Sequence, residues 1–223
     1  MKNFKFFVVA GLLAICGTAS AQFSNTTNTS SSTTGVNEWE SITFEYAPSK
    51  FAYDGDGDDQ SFTALSLGWT RGIGLSKTTP LYLELGMSLQ WSFYKETQEG
   101  YYGDYDMKFN MVSMKMPFSL GYQFNLSDGQ IALAPYAGLD LRLNLFGQMK
   151  KTYDDDGEKW DVFDKDDMGK DDKWKRFQVG WHVGAKCTFS QKFTLGVAYG
   201  ADFSEIAKKT KCNSFRISAG VRF

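Results

Sequence analysis

The apolar residues of this chain recur at every second position, rather than every third or fourth, from residue 39 to the C-terminus. The clearest run has at its odd positions Leu81, Leu83, Leu85, Met87, Leu89, Trp91 and Phe93. Its even positions are mostly polar or small. A two-residue period places alternate side chains on opposite faces, so this run is predicted to be a β-strand with one apolar face.

The same alternation predicts eight strands, at residues 41–50, 61–71, 81–93, 107–124, 131–145, 177–189, 193–203 and 215–223. Several are much longer than the ~5 to 6 residues usual in soluble sheets. One strand changes phase: its apolar residues are odd up to Met111 and even from Val112, which predicts a β-bulge between them. Pro117 in the same strand is unfavourable, because proline removes a ladder donor.

Long strands with one apolar face occur in soluble ligand-carrying barrels and in membrane barrels, and the polar face distinguishes the two. A soluble barrel turns its apolar face inward and carries many Lys and Glu outside. Here the polar face is mostly Gly, Ser, Ala and Gln with single charges, which suits the narrow lumen of eight strands. The predicted fold is all-β, an eight-stranded antiparallel transmembrane β-barrel over residues 39–223 with its apolar face toward lipid.

The connections between the predicted strands support a membrane barrel. They alternate along the chain: those at 51–60 and 95–105 are polar, that at 148–173 is long and that at 205–212 is moderate, whereas that at 72–80 is mild and those at 125–130 and 190–191 are tight. Membrane barrels have short periplasmic turns and long external loops, so the N-terminus is expected in the periplasm.

Aromatic residues gather near both sets of strand ends, where the two headgroup levels favour them. The predicted belt on the short-turn side is Trp39, Trp69, Tyr122, Phe124, Phe189, Phe193 and Phe223. The predicted belt on the long-loop side is Trp91, Phe93, Trp174, Phe177, Phe203 and Phe215.

Residues 1–21 are predicted to be a cleaved signal peptide. Lys2 and Lys5 precede a short apolar stretch, and Ala19-Ser20-Ala21 has the form of a cleavage site. A lipoprotein signal ending at Cys16 is the alternative. Residues 22–38 are rich in Ser, Thr and Asn and are predicted to be a disordered periplasmic tail. The expected location of the protein is the cell outer membrane.

The net charge argues against a nucleic-acid-binding protein, and the positions of the cysteines argue against a disulfide. Without the signal peptide the chain has 22 basic and 26 acidic residues, a net charge of −4, which argues against nucleic acid as a partner. Cys187 and Cys212 are predicted to lie near opposite ends of the barrel, too far apart for a disulfide.

Two segments resemble a known family. Residues 117–124, PFSLGYQF, are followed by a tight turn and by Pro135-Tyr136-Ala137-Gly138. This pattern resembles the PorT-like small outer-membrane barrels, which are of the OmpA or OmpX type. Phe223, alternating back through Val221 and Ala219, is similar to the C-terminal signal that such barrels present to the barrel assembly machinery. The resemblance implies a fold, a location, and outer-membrane lipid and the assembly machinery as partners.

Charged residues on the predicted lumen face are the main candidate site. They are Glu45, Glu84, Lys115, Asp140, Arg142, Arg176, Lys186, Asp202, Arg216 and Arg222. An unpaired charge in a narrow barrel is costly, so these residues are expected to pair and plug the lumen. The alternative is a narrow path for ions.

Metal and catalytic signals are weaker. Asp54, Asp56 and Asp58 copy the start of an EF-hand loop, but the twelfth position is Leu65 where that loop needs a bidentate Glu. No cofactor or metal is therefore predicted, and these three carboxylates are only weak candidates.

His182, the single histidine, is expected on the lumen face. A lipid-modifying enzyme would need it within hydrogen-bond reach of a serine and a carboxylate. The candidates for those roles are Ser88, Ser119, Ser218 and Asp202.

The sequence favours a non-enzymatic outer-membrane barrel that acts through exposed loops or as a partner in an envelope assembly. A lipid-modifying enzyme and a narrow pore for ions or small solutes remain alternatives.

Overall fold

The computed structural model describes residues 35–55, 59–99, 104–126, 130–153, 156–168 and 173–223. The strands are β1 (Trp39–Tyr53), β2 (Gln60–Gly74), β3 (Leu81–Gln98), β4 (Tyr105–Tyr122), β5 (Phe124–Leu126), β6 (Ile131–Tyr153), β7 (Asp156–Asp161), β8 (Phe177–Phe189), β9 (Phe193–Asp202) and β10 (Thr210–Arg222). One helical turn, α1 (Lys165–Met168), follows β7. None of the helices found in these ranges is long and apolar enough to cross a membrane.

Eight of the strands form an antiparallel ring. The order around it is β1, β2, β3, β4, β6, β8, β9 and β10, and β10 pairs again with β1. Two short strands lie outside the ring order: β5 follows β4 along the same edge of β6, and β7 pairs with the far end of β6. The predicted eight-stranded antiparallel transmembrane barrel is confirmed.

The ring has a turn end, where β2 joins β3 and β8 joins β9, and a loop end, where the longer connections lie. Its outward face carries large apolar side chains along every ring strand, including Ile42, Phe44, Leu67, Met87, Leu89, Leu120, Leu139, Val183, Tyr199 and Val221. Its inward face carries buried small polar side chains such as Ser41, Ser66, Ser92, Ser113 and Ser119. The two faces follow the alternation in the sequence.

The β-bulge predicted in β4 lies instead in the neighbouring strand, β6. Phe109, Met111 and Ser113 are all buried, so β4 keeps its odd residues inward throughout. The irregularity lies opposite, because Val112 pairs with Phe146 and Ser113 with residue 144, which leaves residue 145 of β6 unopposed. The apolar odd residues of β4 misled the prediction because they fill the barrel mouth instead of facing lipid.

Pro117 lies within β4 between two ring neighbours. The pairing of β3 with β4 passes from Leu85↔Phe118 to Ser88↔Lys115 and is interrupted beside the proline. The missing donor therefore breaks the ladder locally without ending the strand.

Strand β6 continues to Tyr153, beyond its predicted end at residue 145. It pairs there with β7, so the start of the predicted 148–173 loop is a hairpin. The alternation of apolar residues did not predict this extension, because it contains the polar residues Lys150, Lys151 and Thr152. A strand outside the membrane needs no apolar face toward lipid.

The predicted disordered tail, residues 22–38, ends earlier than expected. The Gly35 amide donates to the Lys77 carbonyl at 2.8 Å, and Val36 packs on Trp39 and Tyr82 at the turn end. Residues 1–34, which include the predicted signal peptide and most of the tail, lie outside the described residues.

Replacing Leu67 by arginine tests the outward face. Leu67 is 60% exposed at the middle of β2, and burying a cation at that depth in lipid is expected to lower folding stability by ~2–4 kcal/mol. Leu75→Arg, just beyond the turn end of β2, is the control and is expected to cost about 1 kcal/mol or less. Urea unfolding in phospholipid vesicles measures both, and equal costs would contradict the lipid-facing assignment.

Candidate functional site

The lumen is crossed by ion pairs between strands that are not neighbours in the ring. Within the described residues they are Lys115 with Glu45, Lys186 with Glu84, Arg142 with Asp202, and Arg216 with Asp140. None of these side chains is more than 18% exposed. Each pair links two separate parts of the wall, and together they fill the middle of the barrel with charge.

Asp140 is the carboxylate of this network that contacts both an arginine and the histidine. The Arg216 guanidinium donates to its Oδ2 at 2.5 Å, and Nδ1 of His182 lies 3.1 Å from its Oδ1. Neither of these last two atoms makes a hydrogen bond with the described residues. Asp140 is therefore held mainly by Arg216.

His182 also contacts a serine. Its Nε2 lies 2.8 Å from Oγ of Ser119, and both residues are buried. The register places Gly138 between them, and a Cβ there would lie 1.9 Å from the carbonyl oxygen of Phe118. Glycine thus lets β4 and β6 approach closely while Ser119 and His182 meet across the space that it leaves.

The catalytic candidates from the sequence are only partly brought together. Ser119 reaches His182, whereas Ser88 and Ser218 line the same cavity without a hydrogen bond to the histidine. Asp202 is bound by Arg142, and the carboxylate beside His182 is Asp140.

A small cavity lies beside these groups. Its volume is ≈ 80 Å³, and its lining includes Glu45, Lys115, Ser119, His182, Lys186 and Arg216. That volume holds a few water molecules, and its walls are polar enough to bind them.

The turn end of the lumen is closed by Trp39. Its ring packs edge-on against Tyr82 with 4.9 Å between centroids, and the Arg222 guanidinium lies 4.1 Å over it. The close approach needs glycine at position 72, where a Cβ would lie 2.1 Å from the indole. Trp39 is 9% exposed, so its predicted place in the lipid-facing aromatic belt is wrong.

The loop end is closed by an apolar group that we call the mouth cluster. Its buried members are Ala47, Phe51, Phe62, Ala64, Phe109, Met111, Val162, Phe163, Ile206 and Cys212, with Tyr94, Met149 and Trp174 packed against them. Phe51 stacks on Phe62 at 4.2 Å and meets Trp174 edge-on at 5.1 Å. The prediction that Trp174 faces lipid is therefore also wrong.

Loop backbone holds the mouth cluster in place. The amide of Val162 donates to the Gly147 carbonyl at 3.1 Å, and that of Trp174 donates to the Val162 carbonyl at 2.8 Å. The Lys175 amide donates to the Ile206 carbonyl at 2.7 Å. Described parts of two external connections thus pack over the loop end of the barrel.

Arg176 does not belong to the lumen network, in contrast to the sequence expectation. It is exposed and precedes β8, with its guanidinium 4.6 Å over the Phe163 ring. Its Nη1 donates at 2.6 Å to the carbonyl of Leu145, the unopposed residue of β6. Arg176 therefore provides a hydrogen-bond donor for the backbone carbonyl at the bulge and packs on the Phe163 ring of the mouth cluster.

The weak metal candidates gain no support. Asp56 and Asp58 lie outside the described residues, and no group of three metal-ligating side chains occurs in the described ranges. Nearby Asp59 accepts hydrogen bonds from Lys50 at 2.5 Å and from the Tyr53 amide at 3.2 Å, which hold the pKa of its carboxyl below the usual value. Asp54 donates its amide to the Lys209 carbonyl at 2.8 Å.

The remaining residues singled out in the sequence lie at the ends of the barrel. Cys187 pairs in register with Leu133 near the turn end and Cys212 with Phe51 at the loop end, and no disulfide joins them. The Phe223 side chain is 67% exposed, and its backbone exchanges two hydrogen bonds with Glu40.

Comparison with known proteins identifies the family. Residues 7–223 match the model described as outer membrane protein beta-barrel domain. The chain belongs to this family. Its location is accordingly the outer membrane. A search of curated proteins finds no match.

Several solved outer-membrane proteins are similar to this chain at low identity. Ail, the attachment invasion locus protein of Yersinia pestis, is 14% identical with a TM-score of 0.47, covering 84% of this chain and 100% of Ail. Neisserial surface protein A is 13% identical with a TM-score of 0.46 and the same coverage. The outer membrane enzyme PagL is 11% identical with a TM-score of 0.44, covering 79% of this chain and 98% of PagL. These likenesses are too distant to support any statement about activity.

Replacing Asp140 by asparagine tests the lumen network. Arg216, whose side chain is only 13% exposed, then loses its counter-ion, and stability is expected to fall by ~3–5 kcal/mol. The double variant Asp140→Asn with Arg216→Met is expected to recover most of that loss, because no unpaired charge remains.

Urea unfolding in phospholipid vesicles measures these variants. Asp59→Asn is the control, since Asp59 pairs with Lys50 at an exposed position and its removal should cause little change. A loss for Asp140→Asn no larger than that for Asp59→Asn would show that the network does not stabilise the barrel.

Proposed function

We propose that this protein is a non-enzymatic outer-membrane barrel that acts at the cell surface through its loop end, as a binding partner in an envelope assembly. The observation that supports this most is the closure of the lumen. The mouth cluster seals one end, Trp39 seals the other, and cross-lumen ion pairs fill the space between. With the interior occupied, the exposed exterior is the surface available for binding.

The same closure argues against a narrow pore. An ion crossing the barrel would have to displace stacked aromatic rings at the mouth and then break paired charges in a low-dielectric interior. Eight-stranded barrels in general leave only enough room for side chains.

The loop end is the natural contact surface for a partner outside the cell. Short turns face the periplasm in outer-membrane barrels and long loops face outward, which assigns the loop end to the exterior. The described parts of two of its loops are held at the mouth cluster by backbone hydrogen bonds of Val162, Trp174 and Lys175, so these parts present a defined surface.

Two further proposals concern assembly and subfamily. The exposed C-terminal Phe223 supports recognition by the barrel assembly machinery during insertion, after export by a cleaved signal peptide. Residues 116–139, with Pro117 inside β4 and Pro135 early in β6, support a place among the PorT-like members of the family.

In-cell photo-cross-linking tests the leading proposal. A cross-linking amino acid at Lys175 or Lys208, both exposed at the loop end, is expected to capture one reproducible envelope protein in stoichiometric amount. The same amino acid at Lys77 or Lys192, exposed at the turn end, is the control and should not capture it. Mass spectrometry of the outer-membrane fraction identifies the product. Capture of that protein only from the turn end would contradict the proposal.

A lipid-modifying enzyme is the second candidate, because Ser119, His182 and Asp140 follow the order nucleophile, base and carboxylate. Three features weigh against it. The groups are buried in the lumen, Asp140 is bound by Arg216, and the adjoining cavity of ≈ 80 Å³ is far smaller than an acyl chain. Pockets for drug-sized ligands are ≈ 300–1,000 Å³.

The acyl chains of the envelope distinguish the two candidates. Under the non-enzymatic proposal, strains carrying Ser119→Ala or His182→Ala have the same acyl-chain profile by mass spectrometry as a Ser218→Ala strain. Ser218 lines the same cavity without contacting the histidine and is therefore the matched control. An altered profile in the first two strains alone, at equal barrel abundance, would make the protein an enzyme.

A further inference from the structure

Four lysines lie in one row across four adjacent strands. The register places Lys95 of β3 opposite Lys108 of β4, Lys108 opposite Lys150 of β6, and Lys150 opposite Lys159 of β7. Directly opposed residues of antiparallel strands point to the same side of the sheet. The four side chains therefore form a single lysine row, which spans about 15 Å at ~4.8 Å per strand.

The lysine row is on the outer surface of the barrel. The residues that alternate with it, Tyr94, Phe109 and Met149, pack inward in the mouth cluster. Below the row, toward the membrane, Phe93 stands opposite Asn110, and below them Trp91 stands opposite Val112.

The height of the row places it in the headgroup layer. Trp91 is 48% exposed on the outward face, and Phe93 packs beside it at 4.6 Å between ring centroids. Two residues along a strand advance it by about 7 Å, so the row lies just beyond this aromatic pair. Aromatic residues mark the boundary between hydrocarbon and headgroups, and lysines beyond it reach toward lipid headgroups.

The positive charge of the row is only partly balanced by the protein. Lys95 is 2.9 Å from Asp106, which is the one ion pair that the row makes with the described residues. Like charges opposite one another on a sheet repel and destabilise the pairing. Asp106 also lies close enough to Lys108 to attract it, whereas Lys150 and Lys159 make no ion pair with the described residues. The row therefore carries more positive charge, at a fixed spacing, than its described ion-pair partner balances.

We propose that the lysine row binds the phosphate groups of anionic lipid in the membrane leaflet around the loop end. Ammonium groups bind phosphate well, and strand spacing presents them at regular intervals along the membrane surface. The adjoining lipid-facing aromatic residues favour a lipid over a soluble polyanion, because they would contact the apolar part of the same molecule. This site is independent of the function proposed for the loop end.

Lipid titration tests the proposal. The full chain, in phosphatidylcholine nanodiscs, is titrated with lipid A and with its dephosphorylated form, and bound lipid is counted by native mass spectrometry. The row variant is Lys95→Gln, Lys108→Gln, Lys150→Gln and Lys159→Gln. The control variant removes equal charge from four exposed loop-end lysines outside the row, by substituting glutamine at Lys173, Lys208, Lys209 and Lys211.

The row variant is expected to bind lipid A at least about tenfold more weakly than the native chain, whereas the control variant keeps its affinity. The dephosphorylated lipid should not distinguish the three proteins. Heat-modifiable migration on gels verifies that each is folded.

Two outcomes would overturn the proposal. One is an equal loss of affinity in the row and control variants, which would indicate general charge attraction. The other is unchanged lipid A binding by the row variant together with loss of heparin binding in detergent, which would make a soluble polyanion the ligand.

Discussion

The narrowness of an eight-stranded ring determines most of this structure. Inward side chains from opposite walls meet, so each charge in the lumen must find a partner within reach. Asp140 satisfies this requirement through Arg216, and Lys115 and Lys186 reach across to Glu45 and Glu84. The barrel interior is thus a polar core held together by ion pairs. The apolar side chains are instead on the outward surface, where they contact lipid.

The polarity of the two faces changes where the strands leave the membrane at the loop end. There Phe51, Phe62 and Phe109 turn inward and form the mouth cluster, while the lysine row lies outside. Beyond the hydrocarbon layer the strands obey the rule for soluble proteins, with apolar side chains inside. This change seals the barrel, since loop residues Phe163 and Trp174 have an apolar surface on which to pack.

The sequence predicted the ring and its faces because a two-residue period over long strands leaves few alternatives. It could not predict which charges meet, because contacts across the lumen depend on the stagger of the strands. His182 accordingly lies beside Asp140 and not Asp202. Trp39 shares the inward phase of Ser41, and its assignment to lipid rested only on its place near a strand end. Trp174 was assigned to lipid because alternation alone does not show where a strand leaves the membrane. Arg176 was misplaced for the same reason, one residue before β8 begins.

A sealed barrel is the central claim, and single-channel recording of the purified protein in planar lipid bilayers tests it most directly. The account predicts no steady conductance from the native chain at any holding potential, because the mouth cluster, the ion pairs and Trp39 obstruct the lumen in series. A steady, reproducible unitary conductance from folded native protein would contradict the account and identify the lumen as a pore.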